Sequence, residues 1–168
     1  EGLVWKEMPT PEPGPGEVRI AIRAASLNFP DLLIVQGKYQ FKPALPFVPG
    51  SEYAGVVEAL GEGVTNLKVG DAVAAMGSTG GFATHALAPA KQVLKLPPGF
   101  ALEDAAAFAL TYGTTHHALV DRAALKAGET VLVLGAAGGV GSSAIQVAKA
   151  VGAKVIAAPG MPSKSAGG

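Results

Sequence analysis

Alternation between apolar and polar positions is clearest near the start of the chain. Val18, Ile20 and Ile22 are separated by small or charged residues, and this period of two predicts a half-exposed strand. Glycine-bounded apolar runs then predict further short strands over 50–61, 69–73, 82–88 and 93–96. Many short strands joined by regular turns are typical of a small β-barrel or sandwich.

The pattern changes after Gly99, where alanine-rich stretches over 102–110 and 114–125 favour helices. The composition therefore predicts two domains, a β-rich one over residues 1–110 and a second one over 111–168. Residues 159–168 lack apolar periodicity and are expected to be a loop or a disordered tail.

The stretch from Thr130 to Ala157 predicts a strand, a glycine turn, a helix and a second strand, which is one β-α-β unit. Gly135, Gly138 and Gly141 are spaced three residues apart between the first strand and the helix. Glycines allow a close backbone approach to a pyrophosphate, and the start of the helix offers unpaired N–H groups to the anion. The alternative is a tight turn that binds no ligand.

Composition and charge exclude several classes of protein. The formal net charge is zero and only 15% of residues are charged, which gives nucleic-acid binding no electrostatic support. No apolar run approaches the roughly 20 residues of a membrane span. Cysteine is absent, which excludes disulfides, thiolate zinc sites and a cysteine nucleophile. No N-terminal signal sequence is recognisable, so we expect a cytoplasmic protein without a membrane or nucleic-acid partner.

An ordered series of motifs resembles the zinc-independent branch of the medium-chain dehydrogenase/reductase superfamily, in particular its NADPH:quinone oxidoreductase (zeta-crystallin-like) group. The matching stretches are 13–18 (PGPGEV), 28–31 (NFPD), 49–55 (PGSEYAG), 69–71 (VGD), 110–114 (LTYGT) and 135–141 (GAAGGVG). The resemblance implies an α/β protein with a GroES-like β-barrel domain followed by a Rossmann domain. Only one β-α-β unit of the latter is visible, so we expect a partial Rossmann unit and an apparently truncated member.

The resemblance also implies that there is no catalytic zinc. The zinc-dependent branch places a cysteine ligand in the loop that matches residues 28–31 and a histidine at the position of Ser51. His85, His116 and His117 do not lie at ligand positions. On a regular helix, adjacent histidines point to different faces and make a poor chelate.

Three residues are candidates for the catalytic site. Asn28 can donate and accept hydrogen bonds, and the resemblance places it near the nicotinamide and the substrate carbonyl. Asp31 would orient that loop, and Tyr39 would supply a phenol hydrogen bond to a substrate oxygen. The alternatives are a turn asparagine, a helix-start aspartate and a packed tyrosine. Glu52 matches an acidic residue common in the superfamily, with a structural ion pair as its alternative.

The candidate cofactor is NADPH. The second predicted strand ends at Ala158 without the acidic residue that NAD-binding proteins use to hold the ribose, and Lys164 could meet a 2′-phosphate. The candidate cofactor-binding residues, taken from the resemblance, the glycine turn and this lysine, are Thr111, Thr114, Gly135, Ala136, Gly138, Gly139, Val140, Gly141 and Lys164.

The resulting hypothesis is an NADPH-dependent, zinc-independent reductase of quinones or conjugated enones. The alternatives are an enoyl-thioester reductase on the same scaffold and a non-catalytic fragment whose glycine turn serves folding only. A single β-α-β unit leaves a strand edge open at 130–134 or 153–157. We therefore also expect a homodimer or a larger homo-oligomer.

The absence of zinc can be tested directly. We expect purified protein to contain well under one zinc ion per chain, because non-ligating residues occupy the ligand positions and no cysteine is present. Elemental analysis measures the metal content, and a chelator should leave the midpoint of thermal unfolding unchanged. Tightly held, stoichiometric zinc would contradict the zinc-independent assignment.

Overall fold

The computed structural model describes residues 2–160. The chain divides into two compact units, the first ending at Ala107 and the second beginning at Phe108. The domain boundary placed after residue 110 stays a prediction. Lys164 and most of the expected C-terminal tail lie outside the described residues.

The first unit is built on a five-stranded antiparallel sheet with the order β4-β1-β2-β3-β5. Its strands are β1 (Glu17–Ser26), β2 (Glu52–Leu60), β3 (Ala72–Met76), β4 (His85–Pro89) and β5 (Val93–Lys95). Helix α1 (Phe29–Val35), a 3₁₀ turn (Ala90–Gln92) and helix α2 (Leu102–Ala105) complete the regular structure. This half-barrel sheet agrees with the β-rich first part that the sequence predicts.

Both faces of this sheet are covered. Val18 and Ile20 of β1 lie in the main apolar cluster, together with Val57 and Val73 from the neighbouring strands. A second cluster on α2 and the sheet consists of Ala54, Ala74, Leu96, Ala105 and Ala106. Ala21 is buried as well, so β1 is less exposed than its alternating pattern suggests.

Gly55 shows why glycine occurs inside β2. A Cβ atom at this position would lie well inside van der Waals contact of the Ala21 carbonyl oxygen and 3.0 Å from Cγ2 of Ile20. The register between β1 and β2 shifts between Ile22 and Ala24, at the same level of the sheet. Glycine is therefore required here because the backbones of the two strands approach closely.

The second unit contains α3 (Ala109–His116), β6 (Thr130–Leu134), α4 (Gly139–Val151) and β7 (Lys154–Ala158). Strands β6 and β7 are parallel, and α4 connects them, so the predicted β-α-β unit is confirmed. The longest helix, α4, has 13 residues. Within residues 2–160, no helix is both long and apolar enough to cross a membrane.

The helices before the β-α-β unit differ from the prediction. Helix α3 runs through residues 111–113, where the sequence suggested a break, and it continues as a π-helical turn over His117–Arg122. The break lies instead between α2 and α3, at residues 106–108.

The two-stranded sheet keeps exposed apolar side chains. Leu132 and Leu134 of β6 and Ile156 of β7 are each more than half exposed. In the part of the chain that the structure describes, no third strand pairs with β6 or β7. The homo-oligomer expected from this open edge stays a prediction.

Candidate functional site

The NFPD loop links β1 to α1 and is fixed by its own backbone. Asn28 is the N-cap of α1, and Pro30 lies in the first turn, where its missing N–H is harmless. The backbone N–H of Asn28 donates to Oδ2 of Asp31 at 2.8 Å, and the N–H of Asp31 donates to the Asn28 carbonyl at 3.0 Å. This reciprocal arrangement satisfies donors that a helix start would otherwise leave unpaired.

Asp31 also ties the loop to the beginning of β2. The Ser51 hydroxyl donates to Oδ1 of Asp31 at 2.8 Å, and both residues are buried. Each carboxylate oxygen of Asp31 therefore receives one hydrogen bond from within the first unit. Asp31 thus links the loop to the residue before β2, and its role in a catalytic site stays a prediction.

The side-chain amide of Asn28 is held by two acceptors. Its Nδ2 donates to Oγ of Ser26 at 2.8 Å and to Oε2 of Glu52 at 3.0 Å. The Ser26 hydroxyl donates to the same Oε2 at 2.7 Å, and Glu52 is only 1% exposed. These two acceptors are only 2.7 Å apart, so they lie on the same side of the amide nitrogen. The Asn28 side chain therefore keeps a carbonyl acceptor and amide donor capacity for a bound molecule.

Tyr39 is the tyrosine whose hydroxyl is available. It lies half-buried after α1, and its hydroxyl makes no hydrogen bond within residues 2–160. The hydroxyl of Tyr112 donates to Oε1 of Gln146 at 2.9 Å. Tyr53 lies in the apolar core at 2% exposure, where burial raises its pKa to about 12. The role of Tyr39 towards a substrate stays a prediction.

The glycine turn between β6 and α4 depends on two of its glycines for geometry. Gly135 has a φ of +68°, and its carbonyl accepts the N–H of Gly138 at 3.0 Å. A Cβ atom on Gly141 would lie well inside contact of the Gly135 carbonyl oxygen. Gly138 is different, since its φ of −82° and ψ of 169° suit any residue, and a Cβ there would meet only the Gly135 carbonyl at 3.5 Å.

The start of α4 offers an anion the features that a pyrophosphate requires. The N–H groups of Gly139, Val140 and Gly141 belong to the first turn, which has no preceding carbonyls to bind them. The helix dipole adds partial positive charge at this end. An open cavity of about 450 Å³ is lined by β6, the glycine turn and Leu119. Bare backbone and free donors therefore fit a dinucleotide pyrophosphate.

The other predicted cofactor residues are distributed unevenly around this turn. Cγ2 of Thr111 lies 3.2 Å from where a Cβ of Gly139 would be, so Thr111 packs against the turn. The side chain of Thr114 is exposed. Ala136 is buried, and its N–H donates to the carbonyl of Ala158 at 3.2 Å, which joins the turn to the end of β7.

Two buried hydroxyl residues near the turn were missed from the sequence. Thr115 on α3 and Ser143 on α4 are each 1% exposed, and their Oγ atoms are 2.6 Å apart. Their only signal in the sequence is a small polar residue on the apolar side of a helix, which is too common to identify a site. The contact itself joins residues that are 28 positions apart.

The histidines are arranged differently from the prediction. His116 and His117 were expected to point to different faces, but their Nδ1 atoms lie 3.6 and 3.2 Å from the same Asp121 carboxylate. The π-helical turn that begins at His117 departs from regular α-helical geometry. His85 lies 3.3 Å from Glu58 on the β-sheet. Within residues 2–160, no group of three or more His, Cys, Asp or Glu side chains could hold a metal ion.

Comparison with protein families and known sequences gives a consistent picture. Residues 14–98 match the alcohol dehydrogenase GroES-like domain. The chain is 42% identical over 153 residues to phthioceranic/hydroxyphthioceranic acid synthase of Mycobacterium tuberculosis, which covers 90% of this chain and 7% of the synthase. It is also 42% identical over 158 residues to the quinone oxidoreductase-like protein 2 homolog of Nematostella vectensis, covering 93% of this chain and 43% of that protein.

Solved structures are similar over almost the whole chain. A probable oxidoreductase from Mycobacterium abscessus has a TM-score of 0.90 at 46% identity, covering 95% of this chain and 52% of that one. The quinone oxidoreductase of Thermus thermophilus, also solved with NADPH, has a TM-score of 0.82 at 39% identity, and the match covers 96% of this chain and 50% of that one. CurK enoyl reductase has a TM-score of 0.85 at 32% identity, and the match covers 96% of this chain and 51% of that one. The chain thus spans about half the length of these solved relatives.

Proposed function

The chain belongs to the alcohol dehydrogenase GroES-like domain family of medium-chain oxidoreductases, and on that premise we propose that it serves an NADPH-dependent reduction of quinones or conjugated enones. The observation that carries the proposal is the glycine turn at the start of α4, with its free N–H donors. A related quinone oxidoreductase solved with NADPH supports the choice of cofactor. The activity is proposed for the protein to which these 168 residues belong.

Residues of the second unit would hold the cofactor. The N–H groups of Gly139, Val140 and Gly141 would bind the pyrophosphate, and Gly138 leaves the approach free of a side chain. Strand β7 ends at Ala158 without an acidic residue, so no carboxylate there would repel a 2′-phosphate. Lys164 is proposed to meet that phosphate. When bound, NADPH supplies a hydride from its nicotinamide ring.

Residues of the first unit would act on the substrate. Reduction of an enone or quinone places negative charge on a carbonyl oxygen, and a hydrogen-bond donor at that oxygen lowers the barrier. The Tyr39 hydroxyl is the proposed donor, because it is half-buried and makes no hydrogen bond within residues 2–160. Asn28, held by Ser26 and Glu52, would add a further hydrogen bond through its side-chain amide.

This chemistry requires no metal ion in the protein. In the resemblance, the zinc-dependent branch has one ligand in the loop that matches residues 28–31 and one at the position of Ser51. Here Asn28 of that loop donates to Ser26 and Glu52, and Ser51 donates to Asp31. These contacts support a site in which protein hydrogen bonds take the place of a Lewis acid. The developing enolate or hydroquinone would then be neutralised by a proton from Tyr39 or solvent.

An enoyl thioester is the second candidate substrate. It is also a conjugated carbonyl compound, so the same donor and the same cofactor would serve. The similarity to CurK enoyl reductase favours this candidate. Steady-state assays with a benzoquinone, a simple enone and a short enoyl thioester, each with NADPH, distinguish the two, because the preferred substrate has the highest kcat/KM.

Replacement of Gly138 by valine tests the cofactor site. The backbone there already has a conformation that valine adopts, so the variant should fold, while the branched side chain projects into the proposed pyrophosphate site. We expect the Kd for NADPH, measured by fluorescence titration, to rise at least tenfold, roughly 1.4 kcal/mol. Gly77→Val is the control, since a Cβ there meets nothing closer than 3.6 Å. An unchanged Kd in folded Gly138→Val protein would place any bound cofactor elsewhere.

Replacement of Tyr39 by phenylalanine tests the proposed donor. Loss of one hydrogen-bond donor to a developing oxyanion should lower kcat roughly 100-fold. The Kd for NADPH should stay within about twofold, because the substitution removes no group from the glycine turn. Tyr53→Phe removes the same atom from a core tyrosine and should leave kcat unchanged. Full activity in Tyr39→Phe would contradict the assignment.

A further inference from the structure

The buried hydroxyls of Thr115 and Ser143 connect α3 to the first turns of α4. Their Oγ atoms are 2.6 Å apart, so one hydroxyl proton lies between them. Oγ of Ser143 also lies 2.9 Å from the Val140 carbonyl oxygen, and Oγ of Thr115 lies 2.8 Å from the Thr111 carbonyl oxygen. The pair therefore touches one carbonyl on each helix and is closed to solvent, with both residues 1% exposed.

Each hydroxyl has one proton, and this limits the pattern of donation. When Thr115 donates to Oγ of Ser143, the proton of Ser143 is left for a carbonyl oxygen. The Val140 carbonyl is the nearer acceptor at 2.9 Å, compared with 3.2 Å for the Thr111 carbonyl. In this arrangement Thr115 directs the proton of Ser143 towards Val140. In the reverse arrangement Ser143 donates to Thr115, and Thr115 donates to the Thr111 carbonyl at 2.8 Å.

A hydrogen bond to the Val140 carbonyl also fixes the neighbouring N–H group. The carbonyl of Val140 and the N–H of Gly141 belong to one planar peptide unit, and they point in opposite directions. Gly141 has no side chain, so this peptide is held by the hydrogen bonds of α4, by the close contact of Gly141 with Gly135 and by the Ser143 hydroxyl. Its N–H is one of the three free donors at the start of α4.

We propose that Ser143, supported by Thr115, is a positioning residue that directs the N–H of Gly141 towards the cofactor's pyrophosphate. This inference rests on the proposed function, because the ligand is the same NADPH. Ser142 provides a natural comparison. Its hydroxyl donates to the Gly139 carbonyl at 3.0 Å, but it is exposed, so water can replace that bond.

The experiment compares Ser143→Ala and Thr115→Val with the wild type, with Thr115→Ser as the conservative variant and Ser142→Ala as the control. The readouts are the Kd for NADPH, the thermal midpoint and the ¹⁵N–¹H resonance of the Gly141 amide. We expect Ser143→Ala and Thr115→Val each to raise the Kd roughly fivefold, the effect of one typical hydrogen bond. Thr115→Ser and Ser142→Ala should stay within about twofold of wild type.

The outcomes separate this proposal from the proposed function. If Ser143→Ala and Thr115→Val lower the thermal midpoint but bind NADPH as the wild type does, the pair only packs the helices and the positioning role is wrong. If the wild type itself does not bind NADPH, the proposed function fails. The Gly141 amide resonance of the variants, recorded without cofactor, then tests the positioning role. A shifted Gly141 amide resonance in both variants, restored in Thr115→Ser, supports the role, and an unmoved resonance overturns it. Thr115→Val alone decides the matter if Ser143→Ala does not fold.

Discussion

The need to satisfy buried polar groups governs the first unit. Asp31 and Glu52 are 2% and 1% exposed, and a carboxylate at such a depth is tolerated only with hydrogen-bond donors around it. Within residues 2–160, every buried side-chain nitrogen and oxygen has a partner. The donors to these two acids include Ser26 and Asn28, near the loop, and Ser51, just before β2. These hydrogen bonds tie the loop to the sheet.

In the second unit, the important polar groups are backbone donors that are left unpaired. Its glycine turn keeps backbone donors free by leaving out the side chains that would cover them, and it depends on Gly141 packing directly on the Gly135 carbonyl. Backbone hydrogen bonds, such as that from the N–H of Ser142 to the Gly138 carbonyl, also hold the peptide planes of the turn. The hydroxyls of Thr115 and Ser143 add a further restraint from the buried side of α4. The free N–H donors of Gly139, Val140 and Gly141 and the Val140 carbonyl that Ser143 contacts thus belong to neighbouring peptide groups.

The sequence predicts best what depends on short separations along the chain. The β-α-β unit over β6, α4 and β7 could be recognised because its strand composition, glycine spacing and helical periodicity all lie within residues 130–158. The half-barrel followed from alternation and turn residues. The covering of the sheet by α2 could not be predicted, because its alanines match partners far away in the chain.

The candidate site was proposed from local features, but its contacts are long-range. Asn28 and Asp31 were taken from a motif and Tyr39 from its phenol group alone, whereas one contact of the Asn28 amide depends on Glu52, 24 residues away. The Ser51–Asp31 and Thr115–Ser143 contacts span 20 and 28 residues. No local pattern encodes these contacts. The proximity of His116 and His117 to one carboxylate depends on a π-helical turn, which sequence periodicity does not reveal.

The most direct measurement of the central claim follows the hydride itself. The protein is incubated with a simple enone and with NADPH that carries deuterium at one or the other C4 position, and the product is analysed by mass spectrometry. The account predicts one deuterium on the β-carbon of the reduced enone from only one of the two labelled cofactors, because a bound cofactor presents a single face. No deuterium in the product from either cofactor would contradict it.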